Sequence, residues 1–104
     1  MYLPKTYEDF TKKFPKVLEQ YQQLGKACRE NGPLDEKYQD LVKLGIGIGA
    51  NSRGAVMSAT RKALAAGATA QEITHVVLLS LTTTGFPNMI AAMGWANEVL
   101  EKHP

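Results

Sequence analysis

The stretch GIGIGANSRGAVMSATRKALAAGATAQEI, Gly45 to Ile73, decides the fold. Its opening admits two readings. Taken literally, GIGIGA satisfies the dinucleotide fingerprint G-x-G-x-x-A, whose glycines turn a strand into a helix so that a pyrophosphate meets the helix N-terminus. The preceding DEKYQDLVKL reads as helix, so the strand that the fingerprint needs is missing and the glycines read as packing positions. Gly45 and Gly49 lie one turn apart and predict the close approach of another helix. Asn51 or Ser52 then caps a helix that ends at Gly67, with Ala55, Val56, Ala59, Ala63 and Leu64 on its inward side. Thr69-Ala70-Gln71-Glu72 has the form of a capping box and opens the next helix, carrying Ile73, Val76, Val77 and the leucines through Leu81.

Upstream, Asp35 to Ala50 forms the helix that leads into this stretch. Before it, Thr6 and Asp9 resemble a helix start, and Tyr7, Phe10, Phe14, Val17, Leu18, Tyr21, Leu24 and Cys28 recur at spacings of three and four. Pro15 inside that pattern predicts a kink, or a restart with Pro15 in the first turn. Asn31-Gly32 stops the segment. Downstream, Pro87 opens a last helix to about Lys102, with Ile90, Met93, Trp95, Val99 and Leu100 as its apolar content. The expectation is one all-α domain of about five helices over residues 1–104, with an N-terminal helical arm at 1–32 and a core at 33–102.

Composition narrows the function. The chain has 104 residues, with 12 Lys+Arg against 10 Asp+Glu for a net charge of +2, which is too mild to argue for nucleic acid. Lys5, Lys12, Lys13 and Lys16 interleave with Tyr7, Phe10 and Phe14 at helical spacing, so those aromatics are expected to face a core rather than stack on bases. From Ile73 to Asn97 no residue carries a fixed charge, yet TTTGFPN in the middle would leave backbone groups unpaired in lipid, so a membrane span is not expected. So much uncharged sequence suggests cover by another subunit. A single cysteine, Cys28, and an N-terminus without an apolar signal region point to the cytoplasm.

Several separated segments, in order, resemble the carboxymuconolactone decarboxylase family, which includes the AhpD-like alkylhydroperoxidases. They are Pro33-Leu34-Asp35-Glu36-Lys37, Arg61-Lys62-Ala63-Leu64, Gly67-Ala68-Thr69 with Glu72-Ile73, and Gly85-Phe86-Pro87, spread over roughly residues 33–100. The resemblance implies an AhpD-like all-helical protomer that assembles as a homotrimer or homohexamer, with active sites near subunit interfaces. In the peroxidase branch it also implies a carboxylate, a Cys-x-x-Cys at a helix start and a histidine four residues later. Aligned on Arg61-Lys62-Ala63-Leu64, those positions fall at Asp40, Ser52, Ala55 and Ala59. A dithiol–disulfide cycle needs two thiols, so AhpD-like peroxidase activity is not expected of this chain. The histidine that the decarboxylase branch commonly carries near Ala59 is replaced as well.

The remaining candidate is His75, an imidazole within the apolar run EITHVVLLS and thus open to tuning as an acid/base group or to a plain packing role. The best reading is an acid/base enzyme of decarboxylase type on a small carboxylate or lactone. In it His75 donates a proton, Asp40 orients or relays, and Arg53 or Arg61, eight residues apart on one helix, holds the carboxylate with Ser52 at the pocket edge. The alternative is a non-catalytic oligomeric or small-molecule-binding module. Cys28, late in its helix where the dipole raises a thiol's pKa, is expected to be structural. The role of Ser58 is open. No metal is expected, because two histidines and scattered carboxylates lack ligand spacing, and no cofactor is called for.

Overall fold

A computed structural model describes residues 4–103; Met1, Tyr2, Leu3 and Pro104 lie outside the described residues. Among the described residues the secondary structure is helical throughout, with no strand. The helices are α1 (Lys5–Lys13), α2 (Pro15–Glu30), α3 (Glu36–Gly49), α4 (Arg53–Ala65), α5 (Ala70–Leu79), the single turn α6 (Leu81–Thr84) and α7 (Phe86–Leu100). The chain divides into two compact units, one ending at Pro33 and one beginning at Leu34.

The first unit holds α1 and α2. Pro15 restarts the helix at its first position, where its missing N–H costs nothing, while Phe14 (φ −129°, ψ 61°) breaks the path between the two. The first helix starts one residue before Thr6, with Pro4 as its N-cap and no side-chain cap bond, so Thr6 and Asp9 do not form its start. No side chain of either helix is buried. The aromatics expected to face a core are therefore exposed: two consecutive helices have too few neighbours to enclose a side chain.

The second unit holds the core, built on the α3–α4 hairpin. Helix α3 ends in a Schellman motif: the Ser52 N–H donates to the Gly47 carbonyl (3.1 Å) and the Asn51 N–H to that of Ile48 (2.9 Å). Asn51 takes the left-handed conformation (φ 53°), which its short polar side chain tolerates better than most. The same motif ends α4, where the Ala68 N–H reaches Ala63 (2.9 Å), the Gly67 N–H reaches Leu64 (3.1 Å) and Gly67 has φ 98°. Thr69 and Glu72 then close the capping box of α5 in both directions, at 3.1 and 2.9 Å. Helix α5 stops at Leu79, short of the expected Leu81, because the Ser80 N–H and hydroxyl both turn back to the Val77 carbonyl. That break and the one at Pro15 are why the chain has more helices than the five expected.

The glycine that lets α3 and α4 approach is not one of the expected pair. A Cβ at Gly47 would lie 3.1 Å from the Ala55 Cβ and 3.2 Å from backbone atoms of Ala55 and Val56. At Gly45 it would meet only the tip of Val76 at 3.9 Å, and at Gly49 nothing. Around this contact, Leu44, Ile48, Val56, Ala63, Ile73 and Val77 are fully buried, and Met89, Ala92 and Ala96 of α7 close the core. Each large aliphatic side chain so buried contributes roughly 1.5–3 kcal/mol. Ala55 was expected inward and is exposed, and Leu78, Leu79 and Ile90, part of the apolar content of α5 and α7, are exposed as well, since each helix buries a narrower stripe than its apolar content suggests.

The hairpin predicts opposite outcomes for two glycines. Gly47→Ala is expected to destabilise, because roughly 1–3 kcal/mol of overpacking against backbone outweighs a helix-propensity gain of about 1 kcal/mol. Gly49→Ala is expected to keep or raise the denaturant midpoint; equal midpoints for the two variants would contradict this account.

Candidate functional site

The residues singled out in the sequence lie at different places in the second unit. Ser52 is wholly engaged by the backbone: its hydroxyl accepts from the Ala55 N–H (3.2 Å) as the N-cap of α4, and its carbonyl receives the Val56 N–H (2.9 Å). Arg53, in the first turn of α4, donates to Glu98 near the end of α7 at 2.9 Å, with both side chains about half-exposed. Arg61 is half-buried two turns further on. Asp40 is buried at 1% exposure on the core side of α3. Nine residues separate it from the end of α3 where Ser52 caps α4, about 14 Å along the axis. Asp40 and Ser52 therefore stand at opposite ends of the hairpin. Ala55 is exposed and Ala59 buried, so the three positions aligned with two thiols and an imidazole do not share one environment.

His75 is on the outside. It lies on the exposed face of α5, in a shallow, wide-open depression lined by Ala70, Gln71, Thr74, His75 and Leu78. These residues recur at i, i+1, i+4, i+5 and i+8, so one helix supplies the whole lining. The surface is mostly apolar, with three hydrogen-bonding side chains: the Gln71 amide, the Thr74 hydroxyl and the imidazole. Asp40, Arg53 and Arg61 are not among the residues that line this face. Histidine is also the one titratable group in the lining.

A carboxylate that the sequence reading passed over stands next to it. Glu72 precedes His75 by three residues, a spacing that makes two side chains neighbours on a helix surface. One of its oxygens accepts from the Thr69 N–H (2.9 Å) and the other from the Lys37 ammonium of α3 (2.9 Å). The hydrogen bond from Lys37, then that from the Thr69 backbone, holds the Glu72 carboxyl below its usual range. The same bond to Glu72 raises Lys37 above its ordinary value. Glu72 thus ties α5 to α3 through Lys37. The i, i+3 spacing was the available signal, and its role in the capping box obscured it.

Among the described residues no group of three or more His, Cys, Asp or Glu could hold a metal ion, and no helix is long and apolar enough to cross a membrane. Cys28 is exposed on α2, and Ser58 is half-buried on α4.

The fold and this face define a class: a helical protein built on a glycine-tightened α3–α4 hairpin, with an imidazole displayed on the following helix. The model of the carboxymuconolactone decarboxylase family matches residues 15–98, and the chain belongs to that family. The match begins at Pro15, so it takes in α2 as well as the second unit. No match to a curated protein accompanies it.

The Lys37–Glu72 pair sets a pH dependence. Glu72, with its pKa lowered by folding, contributes stability above the ordinary carboxylate range, and that contribution is lost as pH falls through its folded value. Lys37, with its pKa raised, contributes until pH climbs through its own folded value. Glu72→Gln is expected to lower the melting temperature at neutral pH and in low salt, and the difference from wild type is expected to vanish in acid. A difference that persists at acid pH would show that the ion pair is not its source.

Proposed function

We propose that this family member, lacking a dithiol, binds a small carboxylate or lactone on the His75 face of α5 and acts on it as a decarboxylase-type acid/base enzyme. The observation that carries the proposal is this open face of α5: a mostly apolar surface with two neutral hydrogen-bonding side chains and a single titratable group, His75. An apolar surface suits the carbon skeleton of such a ligand, and an imidazole N–H can donate to its carboxylate or lactone oxygen. In the reaction the C–C bond to the carboxylate breaks, carbon dioxide leaves, and the electron pair passes into a carbonyl of the substrate as an enolate. His75 delivers the proton that this carbon then needs.

Asp40 and Arg61 act in this scheme through the α3–α4 scaffold, and Arg53 is held by Glu98. The scheme draws on no cofactor. Self-association into a homotrimer or homohexamer and a cytoplasmic location belong to the same proposal, supported by the family membership and by the exposed apolar side chains of α3 and α5. A second reading, ligand binding without turnover, draws support from the lining, which contains neither Asp40 nor an arginine.

Small carboxylic acids and lactones at a hundredfold excess over Kd are expected to stabilise the protein by about 2.7 kcal/mol, a melting-temperature rise of several degrees. His75→Gln is expected to remove that rise and to lower carbon dioxide release on an active substrate by about 10²–10⁴-fold. A rise without turnover across the panel would select the binding module, and no rise at all would remove both readings. Peroxide turnover with a dithiol reductant is expected to be absent; turnover that survives Cys28→Ser would contradict this reading.

A further inference from the structure

The chain carries four asparagines, Asn31, Asn51, Asn88 and Asn97, and each side-chain amide stands one residue before a backbone nitrogen that could attack it. For three of them the fold withdraws that nitrogen. The Ser52 N–H after Asn51 donates to the Gly47 carbonyl (3.1 Å), and the Met89 N–H after Asn88 donates to that of Gly85 (3.1 Å). Glu98 after Asn97 lies inside α7, where its amide belongs to the helix ladder. Asn31 is different. It is the C-cap of α2, and Gly32 after it stands beyond the helix. Pro33 holds Gly32 out of a continued helix, because the residue before a proline is pushed away from the α region. Among the described residues the Gly32 N–H donates to no backbone carbonyl. With no Cβ, Gly32 also lets its nitrogen approach the preceding side chain more closely than any other residue type would.

We infer that Asn31 and Gly32 form a self-modifying site at the end of the N-terminal unit. The Gly32 nitrogen attacks Asn31 Cγ and gives up its proton; the bond from Cγ to Nδ2 breaks, and ammonia leaves with that proton. Water then opens the five-membered imide at either carbonyl. One opening gives aspartate, and the other gives isoaspartate, in which the chain runs through the former side chain. The step needs two consecutive residues and water, so no partner and no placement of one unit against the other enters it. Its effect is local too. Before the reaction Asn31 Nδ2 donates to the Ala27 carbonyl at 2.7 Å, pairing one of the carbonyls that a helix end leaves open. A carboxylate in its place has no proton to donate and sets a negative charge at the negative end of the helix dipole. The conversion therefore loosens the last turn of α2, just before the second unit begins at Leu34. The same capping bond acts as a brake, because the amide must leave Ala27 before Gly32 can reach it. The site is independent of the His75 proposal, since neither residue belongs to that face.

The test ages the full-length chain at mildly alkaline pH beside a synthetic peptide of residues 27–34, which serves as a clock. Both are mapped by mass spectrometry with aspartate separated from isoaspartate. The capping bond is expected to slow Asn31 about fivefold relative to the peptide, so that about five peptide half-lives convert about half of it. Asn51, Asn88 and Asn97 are expected to lag Asn31 by about tenfold or more, because their following amides must first open from helix or turn. Gly32→Ala is expected to slow Asn31 by about tenfold. Amide hydrogen exchange supplies the second readout. In the aged chain, and in Asn31→Asp, the amides of Arg29 and Glu30 are expected to exchange about fivefold faster than in fresh wild type. An intact Asn31 after that time, or acid spread evenly over the four asparagines, would overturn the site. Unchanged exchange at Arg29 and Glu30 would overturn its effect on α2.

Discussion

The contact between Gly47 of α3 and the Ala55–Val56 backbone of α4 is the constraint on which the rest of the second unit depends. A side chain at position 47 would press on the Ala55 Cβ and on backbone atoms of Ala55 and Val56, none of which can rotate away, so the helices would have to part. The turn that brings the helices back on each other is satisfied within itself: Asn51 takes the left-handed conformation, and the amides of Asn51 and Ser52 return to α3 carbonyls. Ser52 closes one helix with its amide and opens the next with its hydroxyl. Polar groups that would otherwise be stranded at two helix ends are thereby paired within a few residues of chain.

From that hairpin the remaining helices take their places. Ala59 and Ala63 of α4 keep its inward face low, so α7 seats through Met89, Ala92 and Ala96 with little bulk between. Asn88 anchors the start of α7 by donating to the Ile48 carbonyl at 2.9 Å, a contact made 40 residues away in sequence. The Lys37–Glu72 pair joins α3 to α5, and Arg53–Glu98 joins α4 to α7. Exposed ion pairs of this kind orient helices more than they stabilise them, and the energy comes from the aliphatic core. The result for chemistry is that α5 is fixed on its inner side by Ile73 and Val77 while its outer side, with His75, faces away from the core.

That division explains which parts of the site were readable. Ser52 as a cap, Gly67 as a stop and Thr69 with Glu72 as a capping box act within five residues of chain, and their backbone partners are dictated by sequence order. The choice among Gly45, Gly47 and Gly49 was not readable, because it depends on the rotation of α3 about its axis relative to α4. The same rotation decides that Asp40 is buried and Tyr38 exposed, two positions apart on one helix. His75 lay in a run apolar enough to suggest burial, yet α5 has neighbours on one side and the apolar residues on its other side remain uncovered. Glu72 was legible only as a cap; its partnership with Lys37 spans 35 residues and needs α3 and α5 side by side.

By itself the sequence determined that the protein is helical, where most of its helices begin and end, that its single cysteine leaves no internal dithiol, and that the chain resembles the carboxymuconolactone decarboxylase family. Those properties follow from local chemistry: capping groups, proline, helical periodicity and the identity of single side chains. Only the tertiary structure decided which glycine is the contact point, which carboxylate is buried, which charges are paired, and that His75 stands on an open face away from the core. Such outcomes depend on the mutual rotation of packed helices, which the burial of a shared core sets and no short stretch of sequence encodes.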